Sequence, residues 1–119
     1  METLLISEKT IWIPNGNEYE TYEIRNIYYC ESKNQYTIFH IEDGKEKPKT
    51  VVSSKGIGEW EKDLEKYHFC RIHSQTLVNL RHVKKYINGE GGIVVLVNNQ
   101  SLSVSKSKKQ RFLTSSGIK

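Results

Sequence analysis

The chain has 119 residues, a net charge of +4, 36% hydrophobic and 27% charged residues, and two cysteines. That length suits one domain with a single core, and that composition excludes a disordered or membrane-embedded chain. No apolar run approaches the ~20 residues that span a bilayer, and Leu4-Leu5-Ile6 is too short for a signal-peptide core, so a cytoplasmic protein is expected.

The net charge conceals a polarity. Residues 1–67 hold nine Lys/Arg against thirteen Asp/Glu, a balance of −4, whereas residues 68–119 hold nine against the single acid Glu90, a balance of +8. A basic half of this kind supplies a face for a polyanion, since neutralised phosphates release counterions. Cys30 and Cys70 stand far apart with no C-x-x-C pair, so neither a disulfide framework nor a zinc knuckle is expected, and no cofactor is implied.

Residues 1–9 carry no turn chemistry and read as a linker or trimmed N-terminal segment; the domain is expected over 10–119. Ile11-Trp12-Ile13, the turn Pro14-Asn15-Gly16-Asn17 and residues 19–24 make a first hairpin. Residues 27–31 and 35–41, rich in β-branched and aromatic side chains, are strands joined by a polar loop. Glu42-Asp43-Gly44-Lys45 turns the chain into a return strand over 49–52, which Pro48 confines to an edge or a strand start.

A helix follows, capped by Ser53 or Ser54, with Ile57, Trp60, Leu64 and Tyr67 on one face and Glu59, Glu61, Lys62 and Glu65 outward. Residues 69–80 combine the buriable Phe69, Leu77, Val78 and Leu80 with a polar block of Arg71, His73, Ser74 and Gln75 that a core does not need. Strands at 82–87, 93–97 and 100–104 form a meander. Gly89, Gly91 and Gly92 belong to a tight hairpin within it, because no helix N-terminus follows to make a phosphate loop. Alternation places Lys84 and Lys85 on opposite faces. Ser105 caps a short C-terminal helix pinned by Phe112 and Leu113.

The polar block has a family resemblance. Arg71-Ile72-His73-Ser74-Gln75-Thr76-Leu77-Val78-Asn79 resembles the signature of LytTR DNA-binding domains, typically output halves of bacterial two-component response regulators. Ile27-Tyr28-Tyr29-Cys30-Glu31 with Gln35-Tyr36-Thr37-Ile38, and Val104-Ser105-Lys106 with Lys108-Lys109, resemble that family's other landmarks in order and spacing, over roughly residues 10 to 115. The resemblance implies a mainly β fold, an elongated β-sandwich of small antiparallel sheets with one short amphipathic helix and a short C-terminal helix. It implies that loops, rather than a recognition helix, meet double-stranded DNA.

By motif, the DNA-binding positions become Gln35 and Tyr36, then His73 and Ser74, then Ser105 and Lys106, with Gln75 and Gln35 as substitutes for base readout and Lys108 and Lys109 on phosphates. Many relatives carry Arg or Asn where Ser74 stands and Arg where Lys106 stands, so guanidinium forks are lost here. The implied partners are DNA with repeated half-sites, an upstream receiver domain and a cognate histidine kinase; the isolated domain would be a monomer that pairs on DNA. Asn79 is read as a turn cap. Two other classes compete. An enzyme could use His68, Cys70 and His73, although strict alternation separates His73 from the other two and no Asp or Asn orients a base. An all-β protein-interaction module fits the fold but leaves the charge split unexplained.

Overall fold

The computed structural model describes residues 9–43 and 47–118. Residues 1–8 of the expected linker, and Gly44-Lys45 of the expected turn, lie outside the described residues. Strands β1 (Thr10–Asn15) and β2 (Glu18–Glu23) form the first hairpin around Gly16-Asn17, with Gly16 at φ 66°. A central antiparallel sheet contains β3 (Ile27–Lys33), β4 (Tyr36–Glu42), β5 (Pro48–Ser53), β6 (Phe69–His73) and β7 (Thr76–Asn79), in the order β5-β4-β3-β7-β6. As the proline required, β5 begins at Pro48 and is an edge strand. A third sheet holds β8 (Val83–Ile87), β9 (Ile93–Leu96) and β10 (Ser101–Ser103). Helices α1 (Ile57–Leu64) and α2 (Lys109–Ser116) complete a mainly β fold of small antiparallel sheets measuring 41 × 39 × 26 Å.

Each face of the central sheet carries its own core. On one side Cys30, Phe39, Ile41, Phe69 and Leu77 pack with Ile13 of the hairpin and Ile57, Trp60 and Leu64 of α1. On the other, Tyr29, Cys70, Ile72 and Val78 pack with Val94, Leu96, Val104 and Phe112, so the third sheet and α2 cover that face. Strand alternation divides neighbours such as Tyr29 and Cys30 between the two cores.

Three local readings are corrected. Helix α1 starts after Gly56 without a side-chain cap, because Ser53 Oγ accepts instead from the buried Trp60 Nε1 (3.1 Å) and from Lys55 N (3.1 Å). A buried indole N–H needs an acceptor more than a helix end open to water does. Ser105 likewise makes no cap; a 3-10 turn, Lys106–Lys108, precedes α2, and buried Phe112 anchors the helix. Finally, the register passes from Val83↔Leu96 to Lys85↔Val95, so Lys84 is an extra residue. That bulge leaves Lys84 and Lys85 both exposed, where regular alternation would have separated them.

Candidate nucleic-acid interface

Two tight turns and one crossing segment meet at one end of the central sheet. Asn34-Gln35 joins β3 to β4, with Asn34 at φ 58°, a left-handed conformation that Asn tolerates. Ser74-Gln75 joins β6 to β7. Ser32 N donates to Gln75 O at 2.9 Å, fastening the first turn beside the second. Ser105 N donates to Ile72 O at 2.8 Å, drawing the segment after β10 against the end of β6. The sequence-expected Gln35, Tyr36, His73, Ser74, Gln75, Ser105 and Lys106 therefore come from three distant segments to one end.

Most of these side chains are available. Gln35, Tyr36, Ser74, Gln75 and Lys106 are exposed, while His73 and Ser105 are half-buried. Tyr36 is 48% exposed, so its ring is only partly committed to packing. Lys108 is half-buried, and among the described residues no carboxylate pairs with Lys106 or Lys108. Lys109 goes elsewhere: its ammonium donates to Asn88 Oδ1 (2.9 Å) and Gly89 O (2.6 Å), lashing α2 to the β8–β9 turn. It spends donors that a phosphate would take.

The pairing of β6 with β7 steps from Arg71↔Leu77 to His73↔Thr76, which makes Ile72 an extra residue. This bulge turns Ile72 and His73 to the same side of the sheet, the side on which Cys70 is buried. The strict alternation expected between Cys70 and His73 is thereby corrected. The thiol is nonetheless a poor nucleophile, because burial pushes both Cys30 and Cys70 up and keeps them protonated. Among the described residues no three His, Cys, Asp or Glu side chains gather to hold a metal.

Two features escaped sequence reasoning. Arg71, taken as part of an outward polar block, is turned inward: Nε donates to His73 O (3.0 Å), Nη2 to Ser74 O (2.5 Å) and Nη1 to Glu61 Oε1 (2.7 Å). Its strand parity with Phe69, which faces α1, was the available signal. Lys33 was also passed over, although it is exposed at the end of β3 beside the two turns. Asn79 is as expected a cap: wholly buried, it accepts from Arg81 N (3.1 Å) and donates to Ile27 O (3.0 Å).

The family model for the LytTr DNA-binding domain matches residues 17–115, which includes all three converging segments. The chain belongs to the LytTR family. Its fold is also similar to a solved structure from Bacillus cereus, a LytTr DNA-binding domain ascribed to a methyl-accepting/DNA response regulator. The TM-score is 0.75 at 21% identity, over 91% of this chain and 96% of that one. No curated protein matches in sequence. No described helix of this LytTR domain is long and apolar enough to cross a membrane.

Proposed function

We propose that this LytTR domain binds double-stranded DNA in a sequence-dependent manner, through the end where the β3–β4 turn, the β6–β7 turn and the Ser105-Lys106 segment converge. The observation that carries the reading is the pair of backbone hydrogen bonds, Ser32 N to Gln75 O and Ser105 N to Ile72 O, that join three polar segments into one edge. A major groove about 12 Å wide admits a two-stranded β-ribbon, and a tight turn between two strands is the end of one. Gln35, Ser74 and Gln75 offer amide and hydroxyl groups to base edges; Lys33, Lys106 and Lys108 offer charge to phosphates.

The domain acts in this reading as the cytoplasmic output half of a response regulator, downstream of a receiver domain and a histidine kinase. The family and the basic C-terminal half support that role. One such edge reads only a few base pairs, so two domains on repeated half-sites supply the selectivity that one lacks. With ~4 to 6 phosphates neutralised per domain, log K falls against log salt with a slope of about −4 to −5. Selection of duplexes from a random pool, followed by a salt titration on the winner, tests the proposal. A repeated motif and a steep slope are expected; recovery of no preferred sequence, or a flat salt response, would overturn it.

A further inference from the structure

We infer that Arg71 and Glu61 are positioning residues that set the reading turn in its DNA-bound shape before DNA arrives. The inference rests on the DNA-binding reading above and adds how specificity is held in the free domain. The carbonyls of His73 and Ser74 lie where a bulge passes into a two-residue turn, and both are taken by one guanidinium. Arg71 can do this because its donors form a planar fork, with Nε and Nη2 spanning adjacent carbonyls while Nη1 stays free for a third partner. That partner is Glu61 on α1, whose Oε1 fixes the far end of the fork.

The arrangement is shielded from solvent, with side-chain exposures of 16% for Arg71 and 23% for Glu61. Such a pair is less screened by salt than a surface one. It also reaches further. The second Glu61 oxygen lies 3.4 Å from Arg111 Nη1 on α2, and Arg111 Nη2 lies 3.5 Å from Glu65 Oε2. Helix α2 continues directly from the Lys106–Lys108 turn. One carboxylate therefore references both the β6–β7 turn and the helix behind the lysines, with α1, which carries it, as the bracket between them. Arg71 directs its donors into the protein, so its contribution passes through the directions in which His73, Ser74 and Gln75 point.

Arg71→Lys tests this, since it keeps the charge and loses the fork. In the free domain the Gln75 amide, which donates to His73 Nδ1, should exchange with solvent about tenfold faster, while amides in the middle of β3 and β7 keep their protection. On DNA the variant should lose about tenfold in affinity for the selected duplex and less than about twofold for a random one, so the ratio of the two constants falls. Glu61→Ala should behave likewise; Glu61→Gln, which retains an oxygen acceptor for Nη1, should recover most of the loss. Unchanged exchange at Gln75, or equal losses on both duplexes, would overturn the inference and leave an ordinary structural ion pair. Failure of the unaltered domain to prefer any duplex would instead sink the DNA-reading proposal, and the exchange measurement would still decide the clamp.

Discussion

The backbone amide of Gln75 donates to Nδ1 of His73 at 3.2 Å, so the histidine closes the turn that follows it with its own ring. A neutral imidazole accepting at Nδ1 carries its proton on Nε2. The ring therefore has a structural role in its own turn, and the DNA contact proposed for it would fall to Nε2. His73→Asn can still accept from the Gln75 amide through its short side chain but cannot place a donor where Nε2 stands; His73→Ala loses both. On a preferred duplex Ala should cost about 1–3 kcal/mol and Asn less, by fluorescence anisotropy. Identical behaviour of Asn and wild type would remove Nε2 from the interface.

Gly91 lies under the strand that leads to the interface. A Cβ there would stand 1.9 Å from Val104 O, a backbone atom that cannot move without shifting Ser105 and Lys106. Gly91→Ala should therefore destabilise the domain by about 1–3 kcal/mol in urea unfolding and weaken DNA binding as well. Gly16→Asn is the control: nothing lies within 4 Å and its φ of 66° is one that Asn adopts, so stability should change by less than about 0.5 kcal/mol.

Periodicity made eight of the ten described strands and both helices legible, because one residue in two or in three to four had to reach a core; it did not divide residues 69–80 into β6 and β7. Bulges were not legible. Tyr28, Ile72 and Lys84 are each an extra residue in their strand, and nothing in a short run of β-formers says where a ladder skips. Two of those skips changed a reading: Lys84 joined Lys85 on the outside, and His73 turned to the side of Cys70. The convergence of Gln35, Ser74 and Ser105 follows from sheet order, which places β3 beside β7; no local pattern gives that order, and the family resemblance implied only that loops meet DNA. Arg71 illustrates a further limit. A charged residue in a polar run reads as a surface group, and only the positions of Glu61 and two carbonyls reveal that it serves its own turn.

Burial raises the Cys30 thiol well above its ordinary value of 9.0, and raises Cys70 as well. Below that ordinary value both states hold these protons and stability is independent of them. Above it the unfolded chain releases protons that the folded chain retains, so stability should fall as pH climbs from about 9 toward the folded values. Tyr29, raised mainly by burial and further by Glu31, adds to the decline above 10.0. Urea unfolding between about pH 8 and 10.5 should show a steeper loss for the wild type than for Cys30→Ala, whatever the cavity does to the absolute stability. Parallel pH profiles would assign the thiol no part in it.

Phe112 is fully buried and is the main tie between α2 and the second core. Phe112→Ala should cost about 3–5 kcal/mol. If the helix rather than the whole domain loosens first, the Lys106–Lys108 turn will lose order, and the salt slope of DNA binding will shrink before the unfolding midpoint is reached. Hydrogen exchange along 106–116, compared with β3 and β7, distinguishes local release from global unfolding.

Lys106 and Lys109 make a sharper pair, because both are cations after β10 yet the fold treats them differently. Lys106 is exposed at the reading edge, whereas Lys109 already donates to Asn88 and Gly89. Lys106→Ala should reduce the salt slope by up to about one and weaken the selected duplex more than a random one, if its ammonium reaches a base as well as a phosphate. Lys109→Ala should barely alter the slope and should loosen the β8–β9 turn. Lys106→Arg carries the test to chemistry, since a planar guanidinium can span O6 and N7 of one guanine where an ammonium cannot. It should strengthen or redirect preference at a single guanine position when selection is repeated with the variant. An Arg variant that selects the same sequences with the same affinities would confine Lys106 to the phosphates, and would leave Gln35, Ser74 and Gln75 as the side chains that distinguish one duplex from another.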